Sequence, residues 1–222
     1  MLLIAAATEK EIKSLRHFLT GSDRVEVFIT GVGPVATAAR LSSYLARHGS
    51  RIDAVWNIGV AGAYIGSGLN MLDICLARLE TLGDFGICLK DGILDFPSGF
   101  DSNSKTFSFN NDLAARLKKE LAEHNIACHE ANFVTVNCCT GTKDRGKFLR
   151  EKHDAGCENM EGAAVAMVCQ NFKVPNIELR CISNMVEDRD KTKWRLSEAI
   201  GKVCRATEIL LQAYDVDASS SR

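Results

Sequence analysis

A chain of 222 residues is long enough for one sizeable hydrophobic core and short for two, so a single domain over residues 1–214 is expected, followed by a polar, disordered tail over 215–222. Lys and Arg number 27 against 28 Asp and Glu, and no basic run occurs, which excludes nucleic acid or an anionic membrane as the expected main partner. The nine cysteines are odd in number, contain no CxxC spacing and set Cys138 beside Cys139; this pattern fits reduced thiols in the cytoplasm, and neither a disulfide frame, a metal site nor another cofactor is expected.

The apolar run 1–7 is too short for a signal peptide and meets charges at once, so no targeting or anchoring segment is expected. Residues 2–7 read instead as a strand buried on both faces. Thr8 and Glu11 stand in capping-box spacing ahead of a helix whose stripe is Ile12, Leu15, Phe18 and Leu19. A strand over 25–30 runs through GVGPVA into a helix with Pro34 in its first turn and Gly49 past its end. A strand over 53–59 is expected to open into a glycine-rich loop, 59–69, before β character resumes over 71–80. Residues 83–111, punctuated by Gly, Asp, Ser and Pro, read as a long irregular excursion of functional or intersubunit use. A helix over 111–125, β structure from 126 to about 139, a helix over about 143–152, a strand over 176–184 and a closing helix over 191–214 complete the chain. Strands alternate with helices throughout, which predicts a three-layer α/β/α domain around a mixed, largely parallel sheet.

The stretch CENMEGAAVAMVC, 157–169, places Glu158 and Glu161 at the mouth of a helix of small apolar residues that must lie close against a sheet. The helix dipole favours an ionised Glu161, which can accept hydrogen bonds from ribose hydroxyls or simply cap the helix. Ligands of such sheets sit beyond the carboxyl ends of strands, which here brings forward Glu11, Gly31 and Gly33, the 59–68 loop with Gly62, residues 137–142 with Cys139 and Thr140, and Ser183 with Asn184. GVGPVA matches a dinucleotide fingerprint, but the strand after it ends in Asn57 and glycine rather than in the ribose-gripping acid, so a nicotinamide or flavin site is not expected.

ATEKE (7–11), TGVGPVATA (30–38), NIGVAGAYIGSGL (57–69), VTVNCCTGT (134–142), ENMEGAA (158–164) and RCISN (180–184) occur in an order and spacing that resemble the nucleoside phosphorylase and nucleosidase superfamily. The resemblance is greatest to its hydrolases of methylthioadenosine, adenosylhomocysteine and futalosine, and GSGL, ENMEGAA and SNMVEDRD with Trp194 look most like the futalosine-cleaving branch. It implies cleavage of a purine N-ribosidic bond by water, with hypoxanthine released from futalosine on a route to menaquinone, or adenine from an adenine nucleoside in the alternative, and a homodimer or larger assembly. It also implies that Glu11 activates water, that Arg180 positions that water or pairs with a buried glutamate, that Glu161 binds the ribose, and that Met160 packs on the sugar face. Gly62, Cys139, Thr140 and Trp194 are expected to complete the substrate site, with Trp194 or Phe85 covering the base. Asn159 and Val60 depart from the Glu and Ser of the adenine-specific relatives. Asn184 replaces an Asp: its amide can accept from a purine N7–H and donate to a 6-oxo group, which suits hypoxanthine. Arg189, Lys191 and Lys193 are candidates for a substrate carboxylate. Carboxylates at Glu9 and Glu11 would repel the phosphate that a phosphorylase needs.

Overall fold

The computed structural model describes residues 1–19, 24–90, 92–97 and 105–220. Strand β1 (Leu2–Ala6) is wholly buried because its alternate side chains enter two different cores. Leu2 and Ile4 pack on one face of the sheet with helices α1 (Glu9–Phe18), α3 (Asn111–Glu123) and α6 (Leu196–Ser220). Leu3 and Ala5 pack on the other with α2 (Pro34–His48) and α5 (Gly162–Phe172). The two helical layers with a sheet between them are the architecture expected from the alternation of strands and helices.

The remaining strands of the main sheet are β2 (Val25–Ile29), β3 (Ala54–Tyr64), β4 (Ile74–Leu82), β7 (Thr106–Ser108), β8 (Cys128–Thr135), β9 (Ala155–Asn159) and β10 (Asn176–Val186). Their order is β10-β4-β8-β9-β3-β1-β2, with β7 on β4, and β10 pairs a second time with β3. That pairing closes β3, β10, β4, β8 and β9 into a ring from which β1 and β2 extend. Pairings of β3 with β9 and of β4 with β10 and β7 are antiparallel and the rest parallel, so the sheet is mixed. The small residues of α5 let it lie between the sheet and α2, with Val165, Val168 and Cys169 against Leu41 and Leu45.

Four expectations are corrected. The glycines at 59 and 62 are not in a loop: β3 runs through both to Tyr64. A Cβ on Gly59 would stand 2.4 Å from Arg180 Nη1 and 2.8 Å from Glu11 Oε1, and one on Gly62 would stand 2.9 Å from Asn184 Nδ2, so these glycines make room for side chains of neighbouring elements. The excursion after Gly83 contains a hairpin of β5 (Ile87–Leu89) and β6 (Gly92–Leu94), followed by β7, which pairs with the edge of β4. The closing helix starts at Leu196 after a single 3₁₀ turn, Lys191–Lys193, because Trp194 is extended and the Arg195 amide donates to Ser183 O. At its other end α6 continues to Ser220, through most of the segment whose polar composition predicts a tail without structure. None of those added residues is a helix breaker.

Candidate active site

Beyond the ends of β1, β3, β9 and β10 lies a cavity of about 480 Å³. It is bounded by Glu11, Gly62, Cys139, Thr140, Met160 and Glu161, and closed by Asn184 and Trp194. Of the residues singled out from sequence, Arg180 and Phe85 stand off this wall, as do Gly31, Gly33, Lys191 and Lys193. Arg180 is 1% exposed and lies behind it, while Phe85 is 43% exposed and packs edge-on against Phe96 at 5.4 Å, away from the cavity.

Glu11 sits in the first turn of α1, where one carboxylate oxygen, Oε2, accepts from the Thr8 amide and hydroxyl, each at 2.9 Å. The capping role and the cavity role coexist, since these bonds occupy Oε2 and leave Oε1 beside Gly59 and Arg180. Glu161 occupies the N-cap position of α5, yet its carboxylate does not cap that helix. Its Oε1 accepts from Gly33 N at 3.0 Å and its Oε2 lies 3.7 Å from Arg180 Nη1. Burial pushes its carboxyl above the ordinary 4.5, against the pull of Arg180 and of the Gly33 amide; the dipole argument from sequence omitted that desolvation.

Asn159 is the group that caps α5: its Oδ1 accepts from the amides of Glu161 at 2.9 Å and Gly162 at 2.7 Å. Its Nδ2 donates to Glu80 Oε2 at 2.9 Å, a bond that a glutamate at this position could not make while ionised. Glu158, paired in the sequence reading with Glu161, holds the β8–α4 connection instead. It accepts from Thr140 N at 2.8 Å and from Tyr64 Oη at 3.1 Å, and burial raises its carboxyl. Thr140 and Cys139 thereby reach the cavity just before α4 (Lys143–His153), and Cys139 Sγ contacts Met160 Sδ at 3.2 Å.

Arg180, on β10, is held by a glutamate that the sequence reading left unnamed. Its Nε donates to Glu178 Oε1 at 2.8 Å, and both side chains are about 1% exposed. Burial works against the guanidinium charge, but Glu178, Glu161 and Glu11 outweigh it and hold Arg180 protonated. Alternation along β10 is the signal that could have found Glu178: it is two residues from Arg180, on the same face of one strand. Asn184 Oδ1 accepts from Ser183 Oγ at 2.9 Å and Nδ2 donates to Met185 O at 3.3 Å, which leaves one lone pair and one N–H of the amide for a ligand. Arg189 stacks over Trp194, its guanidinium carbon 5.0 Å from the ring centroid, and lines both the main cavity and a smaller one next to it. Of the three candidate cations, Lys193 is paired with Glu187 at 2.7 Å, and Lys191 lines neither cavity. Among the described residues no cluster of His, Cys, Asp and Glu could hold a metal, and no helix is long and apolar enough to cross a membrane.

Residues 3–214 match the family model of the phosphorylase superfamily. The chain is 34% identical to a futalosine hydrolase of Thermus thermophilus, over 82% of this chain and 79% of that one. It is 30% identical to an aminodeoxyfutalosine nucleosidase of Helicobacter pylori, over 71% of this chain and 66% of that one. In fold it superposes on a mutant futalosine hydrolase of Helicobacter pylori strain 26695 with a TM-score of 0.83 at 22% identity, covering 96% of this chain and 98% of that one. The chain belongs to the phosphorylase superfamily, on the branch that holds the futalosine hydrolases.

Proposed function

We propose that this protein hydrolyses the N-ribosidic bond of futalosine, releasing hypoxanthine and the dehypoxanthinylated sugar for menaquinone synthesis. The observation that carries the base assignment is Asn184, whose amide offers the cavity one free acceptor and one free donor. In the transition state a departing 6-oxopurine presents N7–H and O6, the complementary pair. An adenine nucleosidase would meet an N7–H and an exocyclic amine, both donors, with which the Asn184 N–H clashes.

Glu11 Oε1 takes the proton of the attacking water while the water oxygen bonds to C1′; the C1′–N9 bond breaks, its electron pair leaves with the purine, and N7 takes a proton from solvent, its N–H then donating to Asn184 Oδ1. The buried Arg180 orients Glu11 and Glu161 rather than meeting the water itself. Glu161 accepts from the ribose hydroxyls, Met160 packs on the sugar, and Trp194 covers the base. The exposed Arg189, fixed by its stack on Trp194, meets the carboxylate of the substrate side chain. No phosphate is required, since the carboxylate of Glu11 lines the cavity beside the first strand, where a phosphorylase needs cations. We place the protein in the cytoplasm, in keeping with nine free cysteines, and as a homodimer or larger oligomer built on the β5–β6 hairpin, where Ile87, Leu89 and Leu94 are exposed.

The test is to offer futalosine, aminodeoxyfutalosine, inosine, methylthioadenosine and adenosylhomocysteine without phosphate and to follow free base by chromatography. Hypoxanthine from futalosine should appear fastest, and Asn184→Asp should narrow or reverse its lead over adenine. Faster adenine release from methylthioadenosine or aminodeoxyfutalosine by the unmutated protein would overturn the assignment.

A further inference from the structure

Two glutamates that do not reach the cavity face each other beneath α5. A Cβ on Gly162 would stand 2.3 Å from Glu178 Oε2 and 2.4 Å from Glu80 Oε2, so the two oxygens converge on one point in a space that only glycine leaves open. Glu80 is 0% exposed and Glu178 1%. Glu80 accepts from Thr135 Oγ1 at 2.8 Å and Asn159 Nδ2 at 2.9 Å, but among the described residues no cation pairs with it. Glu178 gives Oε1 to Arg180, and its buried Oε2 has no donor among the other described groups. Two ionised carboxylates cannot stand so close in a dry interior, and a buried oxygen without a donor is itself destabilising.

One arrangement resolves both problems. We propose that Glu80 carries a proton which it donates to Glu178 Oε2, and that the pair, with one negative charge between them, is the positioning device that holds Arg180 against Glu161 and Glu11. Asn159 fits this arrangement, because a hydroxyl oxygen at Glu80 can accept from Nδ2 while donating to Glu178. Thr135 donates to Glu80 Oε1 and its hydroxyl oxygen accepts the Ala163 amide at 2.8 Å, so the pair is also tied to the first turn of α5, next to Glu161. Burial and the Glu178 charge both raise the Glu80 carboxyl. The other titratable groups around the pair are Arg180 and Glu161, Glu11 beyond them, and Cys157 and Tyr64 from β9 and β3; burial raises the last two so far that they stay neutral.

The link to catalysis rests on the hydrolase reading, whereas the protonation of Glu80 does not, so two measurements separate them. Isotope-edited infrared spectroscopy of protein labelled at the glutamate carboxyl carbon, at about pH 8, where an ordinary glutamate is ionised, should show a protonated carboxyl band that Glu80→Gln removes. Absence of that band in the wild type, or an undiminished band in E80Q, refutes the shared proton, and an absent wild-type band does so even if the variant does not fold. In kinetics, E80Q leaves Glu178, still paired with Arg180, as the one negative charge of the pair and should leave the acid limb of kcat/KM in place. The double variant, E80Q with E178Q, removes it, so Arg180 acts undiluted on Glu161 and Glu11, and the limb should move to lower pH by about one unit, a tenfold change in proton affinity. An acid limb that stays in place in the folded double variant refutes the action through Arg180.

Discussion

Replacing Gly59 by alanine tests whether the middle of β3 is glycine because the site needs the space. The added methyl would lie 2.4 Å from Arg180 Nη1, where ordinary contact begins at 3.4 Å, and 2.8 Å from Glu11 Oε1. The guanidinium must therefore give way by about 1 Å, yet it is fully buried and tied through Nε to Glu178, so the displacement passes to Glu11 and Glu161. A misplacement of about 1 Å at reacting groups costs on the order of 10²-fold in rate. Overpacking of this kind costs about 1–3 kcal/mol, a fall in Tm of roughly 2–12 °C for a chain of this size. The assay is hypoxanthine release from futalosine beside a thermal melt. Gly201→Ala is the control: in α6 a Cβ there meets nothing within 4 Å, so it should leave the rate unchanged and add about 0.5–1 kcal/mol of stability. A G59A protein with activity within about twofold of wild type and an unshifted Tm would refute the packing argument, since no displacement on the order of 1 Å could then have occurred.

Glu11→Gln should lower kcat by at least ~10²-fold with substrate still bound, and single-turnover release at the wild-type rate would remove Glu11 as the base. Glu161→Gln should impair kcat and KM together, and a 2′-deoxy substrate should be poor for the wild type; equal turnover of ribo and deoxyribo substrates would leave Glu161 without a ribose role. His153 is held below its ordinary 6.5 by burial, so the fold favours the neutral ring. The unfolded chain then binds the proton first, and stability should fall as pH falls from 6.5 through the lower folded value; urea melts of His153→Gln should show a flatter pH dependence there, and an unchanged slope would assign the acid sensitivity elsewhere.

The strand and helix alternation, the capping box at Thr8 and Glu11, the proline start of α2 and the stripe of small residues in α5 are local patterns, and each was legible because a single segment contains its whole cause. The strand ends likewise pointed to the cavity, since in a largely parallel sheet the connections after the strands gather on one side. What the chain order could not express is which buried charges meet. Gly59 reads as loop until Arg180 and Glu11, 121 and 48 positions away, are known to need its missing Cβ. Glu158 and Glu161 look like a pair in sequence, yet one holds Thr140 and Tyr64 and the other faces Gly33 and Arg180, because a strand end and a helix cap direct neighbouring side chains to different partners. Glu80 and Glu178, ordinary acids on two strands, become a buried pair only where the closed sheet and Gly162 bring them together, since desolvation and Coulomb repulsion act on distance in space and not along the chain.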